Sequence, residues 1–119
     1  EVYPRGLYEL LMRVKEEFGN IPMYVTENGA AFDDRLEGET VHDLKRIEYI
    51  GSYLKNVSEA LHEGANVKGY FVWSLMDNFE WAFGFSKRFG LVYVDFPTEK
   101  RIIKDSGHYY ADLIKTRKL

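Results

Sequence analysis

Three side chains are of types and in places that could do chemistry: Glu27, followed at once by Asn28-Gly29, and the neighbours Glu80 and Trp81. Glu27 directly follows the short apolar run Ile21-Pro22-Met23-Tyr24-Val25-Thr26. A carboxylate at the end of a buried parallel strand points into the ligand crevice of β/α proteins. It can act there as nucleophile, general base, metal ligand or plain loop cap. Asn-Gly is also a common turn, so the tripeptide alone does not choose among these roles.

The second constellation is the segment GYFVWSLMDNFEWAFGFSKRFG, residues 69–90, which sets Trp73 at a strand end and Glu80-Trp81 in the loop beyond it. A sugar offers apolar C–H faces and a ring of hydroxyls. An indole stacks on the first, and a carboxylate accepts hydrogen bonds from the second with the added strength of a charged acceptor. Core packing is the competing explanation for two tryptophans. A glutamate beside the second one weakens it.

The elements that must position these groups are legible in the spacing. Leu7, Leu10, Leu11, Val14 and Phe18 recur at helical intervals after Pro4 and before Gly19, which predicts a helix from about Pro4 to Phe18. The run before Glu27 lacks polar alternation and suits a strand buried on both faces. Residues 30–39 read as a solvated polar loop: Asp33, Asp34, Glu37 and Glu39 lack the ligand spacing of a calcium loop. Thr40 opens the next helix, with Asp43 three residues on in the manner of a capping box. Val41, Leu44, Ile47, Ile50, Leu54, Val57 and Leu61 form its apolar stripe, and Gly64 ends it. A second buried strand spans Val67 to Trp73, followed by a long loop to Arg88, whose length biases it towards function. Leu91 to Val94 and Arg101 to Ile103 flank a Pro97 turn as a small hairpin, and a last helix starts near Asp105 or Ser106.

Helix, strand, helix, strand, long loop, helix is the order of β/α units around a parallel sheet. Two such strands cannot close a barrel, and alone they leave edges and faces uncovered. The expected fold class is therefore α/β, as a slice of something larger.

Composition narrows the function classes. The chain has 119 residues, a net charge of −3 and mixed signs, so it lacks the basic footprint of a nucleic-acid binder. No apolar run reaches the length of a membrane span. With no cysteine there are no disulfides or thiolate metal sites, which fits a cytoplasmic or otherwise unstapled protein. His42, His62 and His108 are scattered, without ligand spacing, so neither metal nor cofactor is expected. The chain opens at Glu1 with no start methionine or signal-like segment; for a fragment that carries no information.

Met23 to Ala31, with Glu27-Asn28-Gly29 at its centre, resembles the nucleophile signature of glycoside hydrolase family 1. Val41-His42-Asp43 with Arg46-Ile47 and Tyr49-Ile50 is similar to the helix that follows it in that family. Gly69 to Gly90 resembles the family's glycone-binding strand and loop, and Leu91 to Asp95, Lys100-Arg101 and Lys104 to Ser106 continue the match. The resemblance implies a partial TIM (β/α)₈ barrel. Residues 1–119 would be its C-terminal part, covering the seventh and eighth β/α units and the helix before them. It implies Glu27 as the catalytic nucleophile of a retaining, double-displacement β-glycosidase. Trp73 would be the aromatic platform, Glu80 the carboxylate on the outer glycone hydroxyls, Trp81 an indole donor to the glycone and Phe89 an apolar wall.

One departure is large. The family's acid/base carboxylate comes from an Asn-Glu-Pro segment, and none occurs here. Full barrels of this type need roughly 250 to over 400 residues, so the acid/base must come from an N-terminal remainder, the chain's implied partner. Smaller departures are Tyr53, where a His is common, and Ile102-Ile103, where Thr-Pro often stands. Relatives acting on 6-phosphorylated sugars usually lack the glutamate that Glu80 matches, so an unphosphorylated β-glycoside is the implied substrate, with glucose as the favoured glycone and galactose or fucose as alternatives. The competing expectation is a module of another class, a non-catalytic sugar-binding or engineered partial-barrel domain that keeps Trp73, Glu80 and Trp81 but has no turnover.

Overall fold

The computed structural model describes residues 2–119. Its elements run α1 (Pro4–Phe18), β1 (Met23–Asn28), α2 (Leu44–His62), β2 (Val67–Val72), a short 3-10 turn (Trp81–Phe83), β3 (Val92–Asp95), β4 (Lys100–Ile103) and α3 (Asp105–Thr116). β1 and β2 pair in parallel, and β3 and β4 form a separate antiparallel hairpin. Among the described residues there is no closed barrel.

Helix α1 begins with Pro4 at its first position, where the missing N–H costs nothing. Its inner face packs on α2, with Leu11 beside Val57 and Ala60 of α2 and Val25 of β1. Arg5 to Glu59 and Tyr8 to Glu63, each at 2.7 Å, fasten the outer rim of that contact. A second core gathers Tyr49 and Ile50 of α2, Leu91 before β3, and Tyr109 and Tyr110 of α3. The Tyr110 hydroxyl donates to the Tyr70 carbonyl at 2.9 Å, tying α3 to β2.

Several sequence expectations need correction. Helix α2 starts at Leu44, not Thr40; Thr40 lies in a tight turn, its hydroxyl donating to the Glu37 carbonyl at 3.0 Å. Asp43 stands at the N-cap position of α2, but its side chain makes no capping bond to that helix. Its carboxylate accepts from the Ser106 main-chain N–H at 2.8 Å and from the Ser106 hydroxyl at 2.5 Å, so it caps α3 across the fold. The predicted stripe of α2 holds at Val41, Ile50 and Val57, which are buried, but Leu44 and Leu61 at its ends are exposed, and Arg46, Tyr49 and Ala60 join the buried face instead. His42 precedes α2 rather than riding on a helix. Asp34, expected in solvent, has a side chain only 3% exposed.

The sheet leaves much apolar surface open, with Tyr24 58% and Phe71 57% exposed. Such exposure on a strand pair marks a contact surface rather than a finished exterior.

Candidate functional site

Because β1 and β2 are parallel, their C-terminal ends share one edge of the sheet. Glu27 is the penultimate residue of β1, and Trp73 directly follows β2. Pairing is irregular between Val25 and Asn28. Strict alternation would put Glu27 on the face of Val25, which is buried against the helices. The irregularity spans Glu27, and such breaks re-aim side chains. Glu27 is exposed.

The backbone around that carboxylate is held on three sides. The Trp73 N–H donates to the Asn28 carbonyl at 2.9 Å. The Tyr70 hydroxyl donates to Asn28 Oδ1 at 2.7 Å, and the Tyr49 hydroxyl donates to the Gly29 carbonyl at 3.1 Å. Burial pushes both phenols well above their usual range, so they stay protonated and remain donors even in alkaline solution. Gly29 permits the closeness of the two strand ends: a Cβ there would sit 1.8 Å from the Trp73 carbonyl oxygen.

Beside this edge lies a pocket of about 240 Å³ whose lining includes Gly29, Trp73, Glu80, Phe83, Lys87 and Phe89. The Trp73 and Phe89 rings are nearly parallel, 5° apart in plane, with centroids 6.3 Å apart. Trp73 is 43% exposed and Phe89 only 3%, so one ring is an open platform and the other a fixed wall. The peptide bond between Trp73 and Ser74 is cis. Glu80 is half-buried at the start of the 3-10 turn, its main-chain N–H donating to the Gly84 carbonyl at 2.7 Å. Lys87 lies 3.5 Å from Asp33.

Of the five residues singled out from the sequence, Trp73, Glu80 and Phe89 line one pocket. Glu27 is outside that lining, on the adjoining strand end, and Trp81 is turned into solvent, 84% exposed. Sequence reasoning missed Phe83 and Lys87 as lining groups. Arg88, beside Lys87, pairs with Asp77 at 3.1 Å.

Phe89 is held by charge as well as packing. Asp77 Oδ1 accepts from the Phe89 N–H at 3.1 Å, from the Gly90 N–H at 2.8 Å and from Lys104 Nζ at 2.9 Å. Lys104, fully buried, also reaches Asp34 at 2.5 Å. Three buried carboxylates (Asp34, Asp43, Asp77) thus meet three cations (Arg46, Arg88, Lys104), and no buried side-chain N or O atom among the described residues lacks a partner. Balanced, hydrogen-bonded charges are the condition under which burial is tolerated. Among the described residues, no three His, Cys, Asp or Glu side chains are gathered to hold a metal ion, and no helix is long and apolar enough to cross a membrane.

The whole chain, residues 1–119, matches the profile of Glycosyl hydrolase family 1. It is 56% identical to the 1,4-beta-D-glucan glucohydrolase of Thermotoga neapolitana, covering 100% of this chain and 27% of that protein. It is 48% identical to a 6-phospho-beta-galactosidase of Leptotrichia buccalis, over 99% of this chain and 26% of that one. Its structure is similar to that of the family 1 β-glucosidase from Thermotoga maritima, with a TM-score of 0.96 and 52% identity, covering 100% of this chain and 27% of that one. The chain therefore spans about a quarter of the length of the relatives it matches.

Proposed function

The chain belongs to glycosyl hydrolase family 1, and from that premise we propose that it is the C-terminal part of a retaining β-glycosidase of the β-glucosidase type. Residues 1–119 supply the seventh and eighth units of a single (β/α)₈ barrel, and the N-terminal remainder supplies the other strands. The parallel β1–β2 pair and its uncovered faces support that placement.

Glu27 is the nucleophile. It attacks the anomeric carbon while a carboxylic acid from the N-terminal part gives its proton to the departing oxygen, leaving a glycosyl ester on Glu27. The same partner, now a carboxylate, takes a proton from water, which attacks the anomeric carbon and frees Glu27. Two inversions give net retention and require the carboxyl groups to be about 5–5.5 Å apart. Trp73 carries the apolar sugar face, Phe89 walls it, Glu80 accepts hydrogen bonds from the outer hydroxyls, and Trp81 turns its N–H to the glycone when substrate binds.

One observation carries this assignment: the strand end bearing Glu27 is bonded directly to Trp73, which lines the same pocket as Glu80 and Phe89. An unphosphorylated glycone fits better than a phosphorylated one, because Glu80 would repel a phosphate and Lys87 has Asp33 close by.

The test is trapping. In the enzyme completed with its N-terminal part, a 2-fluoro-glucoside inactivator is expected to label Glu27, read by peptide mass spectrometry; a label on another carboxylate refutes the assignment. The 119 residues alone should give no normal turnover of an aryl β-glucoside, since the acid/base group is missing.

A further inference from the structure

Arg46 is the third residue of α2, near a helix start, where arginine ordinarily reaches solvent; here it is 1% exposed. A guanidinium presents its N–H donors in a rigid planar fork. Nε donates to Asp43 at 2.9 Å, and one terminal nitrogen donates to the Ala30 carbonyl at 2.7 Å. The other terminal nitrogen donates to the Asp34 carboxylate and to the Arg88 carbonyl at 3.1 Å.

The two carbonyls come from different walls of the site. Ala30 lies three residues past Glu27 and lines the pocket. Arg88 directly precedes Phe89, the ring parallel to Trp73. One planar group thus spans the segment that follows Glu27 and the segment that sets the glycone wall. The Phe32 N–H, at 2.9 Å from the same Arg88 carbonyl, seals the join beside it. Asp34 and Asp43, with side chains 3% and 0% exposed, hold the fork from its outer side.

We propose that Arg46 is a positioning residue for glycoside cleavage: its fork fixes the spacing between the Glu27 strand end and the Phe89 wall. The proposal rests on the assignment of Glu27 as nucleophile and adds to it the group that sets its register against the sugar. Attack at an anomeric carbon demands such control, because a misplacement of about 1 Å can cost on the order of 100-fold in rate.

The decisive variant is Arg46→Lys. A lysine keeps the charge beside Asp34 and Asp43, but its point-like ammonium cannot serve four acceptors spread along a plane. Arg46→Met would leave the buried Asp43 with no cation and Asp34 with Lys104 alone, and so report on folding alone. In the complete enzyme, Arg46→Lys is expected to lower kcat and the rate of 2-fluoro-glucoside trapping at Glu27 by about 10- to 100-fold, with KM nearly unchanged. Val57→Ala, which opens the α1–α2–β1 core without touching the Arg46 fork, is the control for destabilisation; it should lower Tm and leave kcat unchanged well below Tm. Wild-type kcat and trapping rate in Arg46→Lys would overturn the proposal, leaving Arg46 a structural brace. An equal kcat loss in Val57→Ala would overturn it too. A label on another carboxylate in the wild-type enzyme would instead sink the assignment of Glu27 itself, a separate failure.

Discussion

The main-chain N–H of Trp73 donates to the carbonyl of Asn28 at 2.9 Å, so the residue after Glu27 and the backbone that carries the pocket's indole are joined by one hydrogen bond. Neither can shift far without the other. Catalytic geometry held on strand ends is more precise than geometry held on loops.

Gly29 tests that coupling. Gly29→Ala would drive a methyl to 1.8 Å from the Trp73 carbonyl oxygen, a backbone atom that cannot swing aside. Overpacking of this kind costs about 1–3 kcal/mol or more. The completed enzyme should show a lower Tm and a lower kcat together; a variant with unchanged values for both would mean that the strand ends are not in contact.

Substitutions at the carboxylates separate their roles. Glu27→Gln is expected to reduce kcat on the order of 10⁶-fold, as loss of the covalent nucleophile does in a serine protease. Glu80→Ala should lower kcat/KM through loss of contacts to the glycone hydroxyls, without abolishing the trapped ester. Unchanged kcat/KM for Glu80→Ala would remove that residue from the substrate site.

Tyr70→Phe removes the donor to Asn28 Oδ1 at 2.7 Å and nothing else of that ring's packing. Loss of one such bond is worth about 1 kcal/mol. Denaturant unfolding of the completed protein should show that loss with an unchanged slope, and no measurable change would mean that water replaces the phenol.

Lys104→Met takes one cation from the buried Asp34 and Asp77, which keep Arg46 and Arg88 respectively. Breaking a buried pair from one side typically costs about 3–5 kcal/mol, an upper bound here because each carboxylate keeps a partner. Soluble expression and Tm should both fall sharply. A cost below about 1 kcal/mol, the range of an exposed pair, would show that Lys104 is reached by water.

His42 gives a pH dependence. Its Nδ1 lies 2.7 Å from Asp105 Oδ2, and its Nε2 is 3.3 Å from the Thr40 hydroxyl. The hydrogen bond to Asp105, then the charges of Asp105 and Glu37, raise its pKa above the ordinary 6.5, against a small opposing effect of burial. A raised folded-state value means that the pair's stabilisation is complete below about pH 6.5, the unfolded value, and is lost as pH rises through the higher folded value. Tm should therefore fall across that window in the wild type and stay flatter in His42→Gln, with the difference reduced at high salt. Identical pH profiles would remove the ion pair from the account.

Local pattern carried much of the architecture. Apolar spacing, Pro4 and the run before Glu27 located α1 and both parallel strands within about two residues, because period and turn chemistry are written in neighbouring positions. The start of α2 was misplaced for the opposite reason. Thr40 and Asp43 have the right types and spacing for a cap, yet Asp43 spends its oxygens on Ser106, 63 residues away, and on Arg46.

From its sequence alone this protein is determined as a β/α piece of glycosyl hydrolase family 1, with Glu27 at a strand end and Trp73 at its neighbour's. Only the tertiary structure decided that Asp34 is buried, that Lys104, 70 residues distant, neutralises it, and that Arg46 joins the two walls of the pocket. Periodicity fixes which face a side chain takes, but a charge finds its partner through space, across loops whose paths no local pattern specifies.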